Sequence, residues 1–370
     1  VGDIVLLNDG SVLVGQKSNA GIIKMDYTNE EIDTDFSNKR AWFYSGKPTT
    51  VTCTLEDSEQ VAAVGNVSSM AKSSDVKGVD GEVIYATSWD KYKVAAIDAD
   101  GNCIEIIWAS EMGKTKTGSL DAFYPMALTI KTVGGNDYLV VTGKEKWCTR
   151  TKGKGRKQKC KSKSNWSERP IMYSKNLTTG VDIICALNNS KHENLADVWS
   201  ITMDDGDNLY YTRFKKIYRL PVVQSAGGYC PTGANDEYSY STSESDYNPA
   251  SQIEIDPQDE NTLYVTSEDA SSLQKLTISA DKKTLTQSLV VGGSEKNKAT
   301  PASAANENES SAIAIYRPQA LYVGNDRVWT GGKKISIQEY DISGNNIKWK
   351  AEMGTTRLNR MKGAQTAIEA

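Results

Sequence analysis

Apolar and polar residues alternate with a period of two along most of the chain. A polar turn containing Asp, Asn or Gly leads into an apolar-aromatic run that ends near Thr or Gly. A second polar turn follows, then another alternating run. Period-two alternation predicts β-strands, because successive side chains on an extended backbone point to opposite faces. The unit recurs six times. The copies are DGSVLVGQKSNAGIIKMDY from Asp9, DGEVIYATSWDKYKVAAIDADG from Asp80 and NDYLVVTG from Asn136, whose partner run RPIMYSKN follows an insertion. DGDNLYYTRFKKIYRLPVV from Asp205, ENTLYVTSEDASSLQKLTI from Glu260 and NDRVWTGGKKISIQEYDISG from Asn325 complete the series. Its anchor positions are Val12, Ile84, Leu139, Leu209, Leu263 and Val328, spaced by 72, 55, 70, 54 and 65 residues. Each interval can hold one four-stranded antiparallel sheet with its loops. Copies four and five also share a preceding run, SITMD and QIEID, which gives at least three strands per unit.

A small twisted sheet with two apolar faces cannot bury both alone. Stacking such sheets radially buries each face against a neighbour and leaves only short edges. The period is too long for a β-helix. About 300 residues therefore resemble an all-β, six-bladed β-propeller of four-stranded antiparallel blades. The WD40 Trp-Asp signature, the kelch double glycine and the sialidase box are absent. A seventh blade stays open, because the first interval contains a further strand-like stretch, TTVTCTL from Thr49. The expected organisation is a propeller over 1–355 and a C-terminal tail over 356–370. The opening GDIVLL run is expected to close the ring by pairing with the last blade near Asn345.

Composition supports many short strands with wet faces: Tyr (18) and Trp (8) outnumber Phe (4). A net charge of −4 gives no global case for nucleic-acid binding. The distribution is more telling. An insertion at 144–163 holds ten Lys or Arg and one Glu. Such density repels itself and reads as a projecting loop that grips a polyanion or an acidic partner through Lys152, Lys154, Arg156, Lys157, Lys159 and Lys161. Between Arg219 and Lys275 there is no Lys or Arg, while ten acidic residues occur. Within it, 233–250 reads as an acidic, tyrosine-punctuated loop whose partner face is Asp236, Glu237, Glu244 and Asp246. Opposite charges on one molecule invite head-to-tail contact between copies, which makes rings or filaments.

Six cysteines are compatible with three disulfides and an oxidising compartment. Cys148 and Cys160 flank the basic insertion and are the expected pair. The only His, His192, sits in a polar stretch and is expected at the surface, with no nucleophile elbow nearby. Asp98 and Asp100, and Asp205 and Asp207, lie in Asp-Gly loops of the kind that wrap Ca²⁺, but Asp-Gly also suits a β-turn, and the turn reading is preferred. No cofactor is expected. Asn66, Asn165, Asn176, Asn188 and Asn308 head N-x-S/T sequons and are expected on surface loops. No run is long enough to span a membrane, and a start at Val1 agrees with a removed leader.

Met361 to Gln365, continuing to Glu369, resembles the processing region of type IV and Tad-like pilins, in which Lys-Gly or Arg-Gly precedes a short stretch with Glu. Pilins place it near the N-terminus ahead of an apolar run, whereas here it stands at the end of the sequence. Together these features predict an extracellular or cell-surface binding and assembly module rather than an enzyme, with its own copies or an anionic polymer as partner. The alternative is a propeller enzyme acting on carbohydrate or lactone through carboxylates at the central channel.

Overall fold

The computed structural model describes residues 2–16, 21–26, 31–32, 66–88, 92–108, 112, 122–153, 159–162, 166–187, 192–213, 216–233, 236–237, 239–241, 251–268, 272–292, 318–325, 327–332, 337–341 and 348–353. Their strands form sheets, antiparallel except at one edge of the fifth, arranged in a ring, a β-propeller.

The first sheet runs β1 (Asp3–Leu6), β2 (Ser11–Gln16), β3 (Gly21–Asp26) and β4 (Glu31–Ile32). The second runs β5 (Val67–Ser73), β6 (Val83–Ser88), β7 (Lys93–Asp98) and β8 (Cys103–Trp108). The third holds β9 (Ala122–Val133) and β10 (Asn136–Cys148). A two-stranded ladder, β11 (Thr151–Lys152) with β12 (Lys159–Cys160), follows, and β13 (Trp166–Asn176) and β14 (Asp182–Ala186) complete that third sheet. The fourth comprises β15 (Ser200–Met203), β16 (Asn208–Arg213), β17 (Lys216–Ser225), β18 (Gly228–Pro231) and β19 (Asp236–Glu237). The fifth comprises β20 (Ser239–Ser241), β21 (Ile253–Asp256), β22 (Asp259–Ser267), β23 (Ser272–Ile278) and β24 (Thr284–Gly292). The sixth comprises β25 (Pro318–Val323), β26 (Arg327–Gly332), β27 (Ile337–Asp341) and β28 (Lys348–Met353).

All six anchor residues fall on the second strand of a sheet, and each is fully buried. The period-two pattern divides that strand between two neighbours. On β6, Val83 and Tyr85 pack towards the third sheet with Leu139 and Val141. Ile84 and Ala86 pack towards the first sheet with Val5 and Leu13. On β16, Leu209 and Tyr211 meet the third sheet, while Tyr210 meets Leu263 and Val265 of the fifth. The core is therefore a set of seams between blades, and losing one anchor such as Leu139 would cost about 2–5 kcal/mol.

Three residues beyond the anchor, Thr87, Thr142, Thr212 and Thr266 are fully buried. Their hydroxyls tie the neighbouring innermost strands: Thr87 donates to Ser69 O, and Thr212 donates across the seam to Ser251 O at 2.7 Å. The first sheet has Gly15 here, because a Cβ would lie 2.6 Å from Val67 Cγ1 of the next blade.

The innermost strands touch in cyclic order: β1 packs on β5, β5 on β9, β9 on β15, β15 on β21, β21 on β25, and β25 on β1. The expected pairing of the opening run with the last blade is not what closes the ring. β1 pairs with β2, and β28 pairs with β27. Each of these sheets supplies its own four strands, so closure rests on packing. The stretch TTVTCTL from Thr49, the candidate seventh blade, lies outside the described residues, as does the tail over 356–370. Among the described residues no helix is long and apolar enough to cross a membrane.

Candidate functional site

The third blade carries an arm. Its second and third strands, β10 and β13, have 13 and 11 residues, against 6 in β6 and β16. They stay paired from Tyr138↔Asn176 to Cys148↔Trp166. Strand pairing that continues past the blade body holds this segment out as a ribbon. The irregularity between Thr142 and Gly143 in the β9–β10 register marks its root. Only glycine fits at 143, because a Cβ there would run into the backbone carbonyl oxygen of Tyr124.

The two faces of the ribbon differ. On one, Arg169 binds Glu145 Oε2 through Nε and Nη2, both at 2.6 Å, with the Glu145 side chain 1% exposed. The Arg169 guanidinium also lies 5.6 Å from the centroid of the Trp147 ring. On the other, Lys144 Nζ binds Asp197 at 2.7 Å and Lys146 Nζ binds Glu168 at 2.7 Å. Burial pulls the Lys144 ammonium down, but its hydrogen bond to Asp197 and the charges of Asp197 and Glu168 prevail and hold it above the ordinary lysine range. Glu168 is held below its ordinary value, first by the hydrogen bond from Lys146. Asp197 closes a 3-10 helix, Glu193–Asp197, and also meets Arg213 of the fourth blade at 3.7 Å. The root is thus fixed by a charge network across two blades.

At the tip, a disulfide joins Cys148 and Cys160, with Cα atoms 5.7 Å apart, as the spacing predicts. Lys161 N donates to Arg150 O at 2.8 Å, and Lys152 sits opposite Lys159 in the small ladder. Arg150, Lys152 and Lys161 are exposed. Lys154, Arg156 and Lys157 lie outside the described residues.

A second disulfide, Cys185–Cys230, links β14 of the third blade to β18 of the fourth. Cys103 is also disulfide-bonded, its partner lying outside the described residues. No sequence signal distinguished the Cys185–Cys230 pair, because its partners are 45 residues apart and meet only through the blade seam.

The acidic stretch is not one loop. Asp236 and Glu237 form β19, opposite Arg219 and Tyr218 on the edge of the fourth blade. β20 then runs parallel to β24 on the edge of the fifth. The run DEYSYS alternates polar and aromatic residues, which suits an edge strand. Glu244 and Asp246 lie outside the described residues.

The Asp-Gly loops act as turns. Asp98 Oδ1 accepts from Asp100 N and Asn102 N, and Oδ2 accepts from the Asn102 amide at 2.6 Å. Asp205 pairs with Lys131 of the third blade, and Asp207 adopts a left-handed φ of 57°. Among the described residues no cluster of three or more His, Cys, Asp or Glu is arranged to hold a metal.

Two surface expectations are corrected. His192 is 8% exposed, and its Nε2–H donates to Gly233 O at 2.6 Å, tying the 3-10 helix to the fourth blade. Asn176 is 5% exposed at the end of β13, where its Oδ1 accepts from Thr179 N at 2.9 Å, so its amide caps a turn rather than facing solvent. Asn66 is partly buried just before β5. Asn165, Asn188 and Asn308 lie outside the described residues.

The sequence did not single out the carboxylates of the inner strands. Asp3 on β1, Glu254 on β21 and Tyr322 on β25 come from three consecutive inner strands of the ring. Burial pushes Asp3 up to about 7, against backbone hydrogen bonds from Met70 and Ile4. Burial, then the charge of Asp3, raises Glu254 well above its ordinary range, although Thr202 donates a hydrogen bond to it. A lone polar residue inside a strand such as QIEID was the only available signal.

No family model matches the chain, and no curated protein matches it. Among solved structures, a functionally unknown protein from Desulfotomaculum acetoxidans is similar at 13% identity and a TM-score of 0.49, over 92% of this chain and 79% of that one. Virginiamycin B lyase from Staphylococcus aureus is similar at 14% identity and a TM-score of 0.45, over 96% and 85%. A protein of unknown function from Bacteroides caccae is similar at 11% identity and a TM-score of 0.44, over 91% and 93%. None of these likenesses bears on activity.

Proposed function

We propose that this β-propeller is an exported binding module that engages an anionic partner through the basic arm of its third blade. The observation that carries the reading is the arm itself. Long strands, a cross-blade charge network at the root and a disulfide at the tip hold exposed Arg150, Lys152 and Lys161 away from the blade body. Like charges brought together at such cost to stability are best balanced by a partner of opposite sign. The disulfides favour an oxidising compartment. The acidic stretch of a neighbouring copy has the matching charge, so head-to-tail association is one form the contact would take. The test is Lys152→Glu with Lys161→Glu, assayed by heparin retention and by sedimentation over a series of ionic strengths. The wild type should be retained, and the variant should elute at much lower salt; equal elution would remove the arm from the binding surface.

A second reading, catalysis at the centre of the ring, is favoured by Asp3, which burial pushes up to about 7, suited to proton transfer near neutral pH, and by Glu254, whose carboxyl is raised by burial and by the charge of Asp3. Hydrolysis of lactone or glycoside probes that disappears in both Asp3→Asn and Glu254→Gln would establish it.

A further inference from the structure

We infer that the anionic partner is an acidic polysaccharide, lying along the arm with one sugar packed on a tyrosine pair at its root. The inference rests on the arm being the binding surface. Tyr92, in the turn between β6 and β7, is 40% exposed and adopts a left-handed φ of 56°. A bulky residue rarely takes this conformation, which glycine or asparagine would adopt with less strain. Strain of this kind is kept where the surroundings fix it, and it gathers at binding sites.

Here the surroundings are the arm. The Tyr92 ring meets the ring of Tyr124 edge to face, with centroids 4.9 Å apart and planes at 84°. Tyr124 lies on β9 directly opposite Lys144. The second blade thus presents an aromatic ring at the base of a ribbon whose far end is basic. From Lys144 to Lys152 the path is roughly 25 Å at the rise of an extended strand. It begins at the tyrosines, passes Lys144 and Lys146, and ends at Arg150, Lys152 and Lys161.

A tyrosine ring offers an apolar face and a polar hydroxyl, which matches the mixed surface of a sugar ring. The arm adds cations for carboxylate or sulfate groups. Single-stranded nucleic acid, by contrast, is held by successive ring platforms along its path. Two neighbouring rings already carry a cation over one face: Arg169 lies 5.6 Å from the centroid of Trp147, and Lys93 lies 5.6 Å from that of Trp108. An exposed aromatic contact at the root, followed by charges, suits a glycan with spaced acidic groups.

The experiment uses the whole protein and titration calorimetry with polygalacturonate, with dextran and poly(dT) as comparison polymers, at low and high ionic strength. Tyr92→Gly removes the ring and suits the observed φ, so the variant should fold. It should bind polygalacturonate about tenfold more weakly, with the salt dependence unchanged. Tyr92→Phe should retain most of the affinity. Lys152→Glu with Lys161→Glu should instead flatten the salt dependence. Wild-type affinity in Tyr92→Gly, with binding lost in the charge-reversed variant, would overturn the sugar contact and leave the basic arm standing. Tighter binding to poly(dT) than to polygalacturonate would also overturn it. Unaltered binding in the charge-reversed variant would remove the arm, and this inference with it.

Discussion

Asp3 Oδ2, on the innermost strand of the first blade, accepts a hydrogen bond from the backbone N–H of Met70 on the innermost strand of the second, at 2.5 Å. Ser69 makes the comparable link from second to third blade, donating to Leu128 O and accepting from Leu128 N. Ser200 does so between fourth and fifth, through the carbonyl and amide of Ile253. A polar side chain thus stitches neighbouring inner strands where the ring is tightest. Asp3 differs from the serines because it titrates.

Asp3 is about 7 in the folded protein against 3.8 unfolded, so folding takes up a proton. Its favourable contribution is complete below 3.8 and is lost as pH rises through about 7. The ceiling on this effect is about 4 kcal/mol. Glu254 is raised as well and acts with the same sign. Asp9, Glu168 and Asp259 are lowered and act only at more acidic pH, with the opposite sign. Thermal melting of Asp3→Asn should therefore show a lower Tm in acid but a flatter decline between pH ~4 and ~7 than the wild type. Parallel profiles over that window would contradict the assignment.

The two disulfides with both partners among the described residues should differ in their effect on stability. Cys185–Cys230 closes a loop of 45 residues between blades, and Cys148–Cys160 one of 12 within the arm. Chain entropy alone assigns them about 4 and about 3 kcal/mol. The Cys185→Ala/Cys230→Ala variant should melt lower than Cys148→Ala/Cys160→Ala, as read by denaturant unfolding. The arm variant should keep the ring and lose retention on heparin.

Gly143 sets the root of the arm. Gly143→Ala drives a methyl into the carbonyl of Tyr124, so β9 and β10 must separate locally. A loss of about 2–4 kcal/mol is expected, within the range for overpacking and broken pairing. Rapid hydrogen exchange should appear at 142–146. Unchanged protection there would show that the strands accommodate a side chain.

Glu145 and Arg169 form a nearly buried pair. Removing one partner strands the other charge: Arg169→Met should cost about 3–5 kcal/mol. Replacing both, as Glu145→Leu with Arg169→Met, should recover most of that loss. A double-mutant cycle from urea denaturation provides the measurement, and additive losses would rule out the coupling.

Much of the blade plan was legible because it follows from local alternation. Val12, Ile84, Leu139, Leu209, Leu263 and Val328 stand at equivalent places, and the Thr three residues after four of them has a stated bonding role. The arm was legible from charge density, and its disulfide from short spacing. What stayed hidden depends on contacts between distant segments. Cys185 meets Cys230, His192 meets Gly233, and Asp3 meets Met70, each pair separated by 41 residues or more. Asn176 sits in a polar stretch yet is buried, because a turn needs its carbonyl oxygen. Asp236 and Glu237 read as loop because polarity masked an edge strand two residues long.

The ring closes by contact between β1 and β25, and each belongs to a sheet complete in itself. A circle fastened this way resembles a split washer: among the described residues the joint between β1 and β25 is a packing contact between two sheets that are each complete. Under pulling force or mild denaturant the described blades should part there while each keeps its own strand pairing.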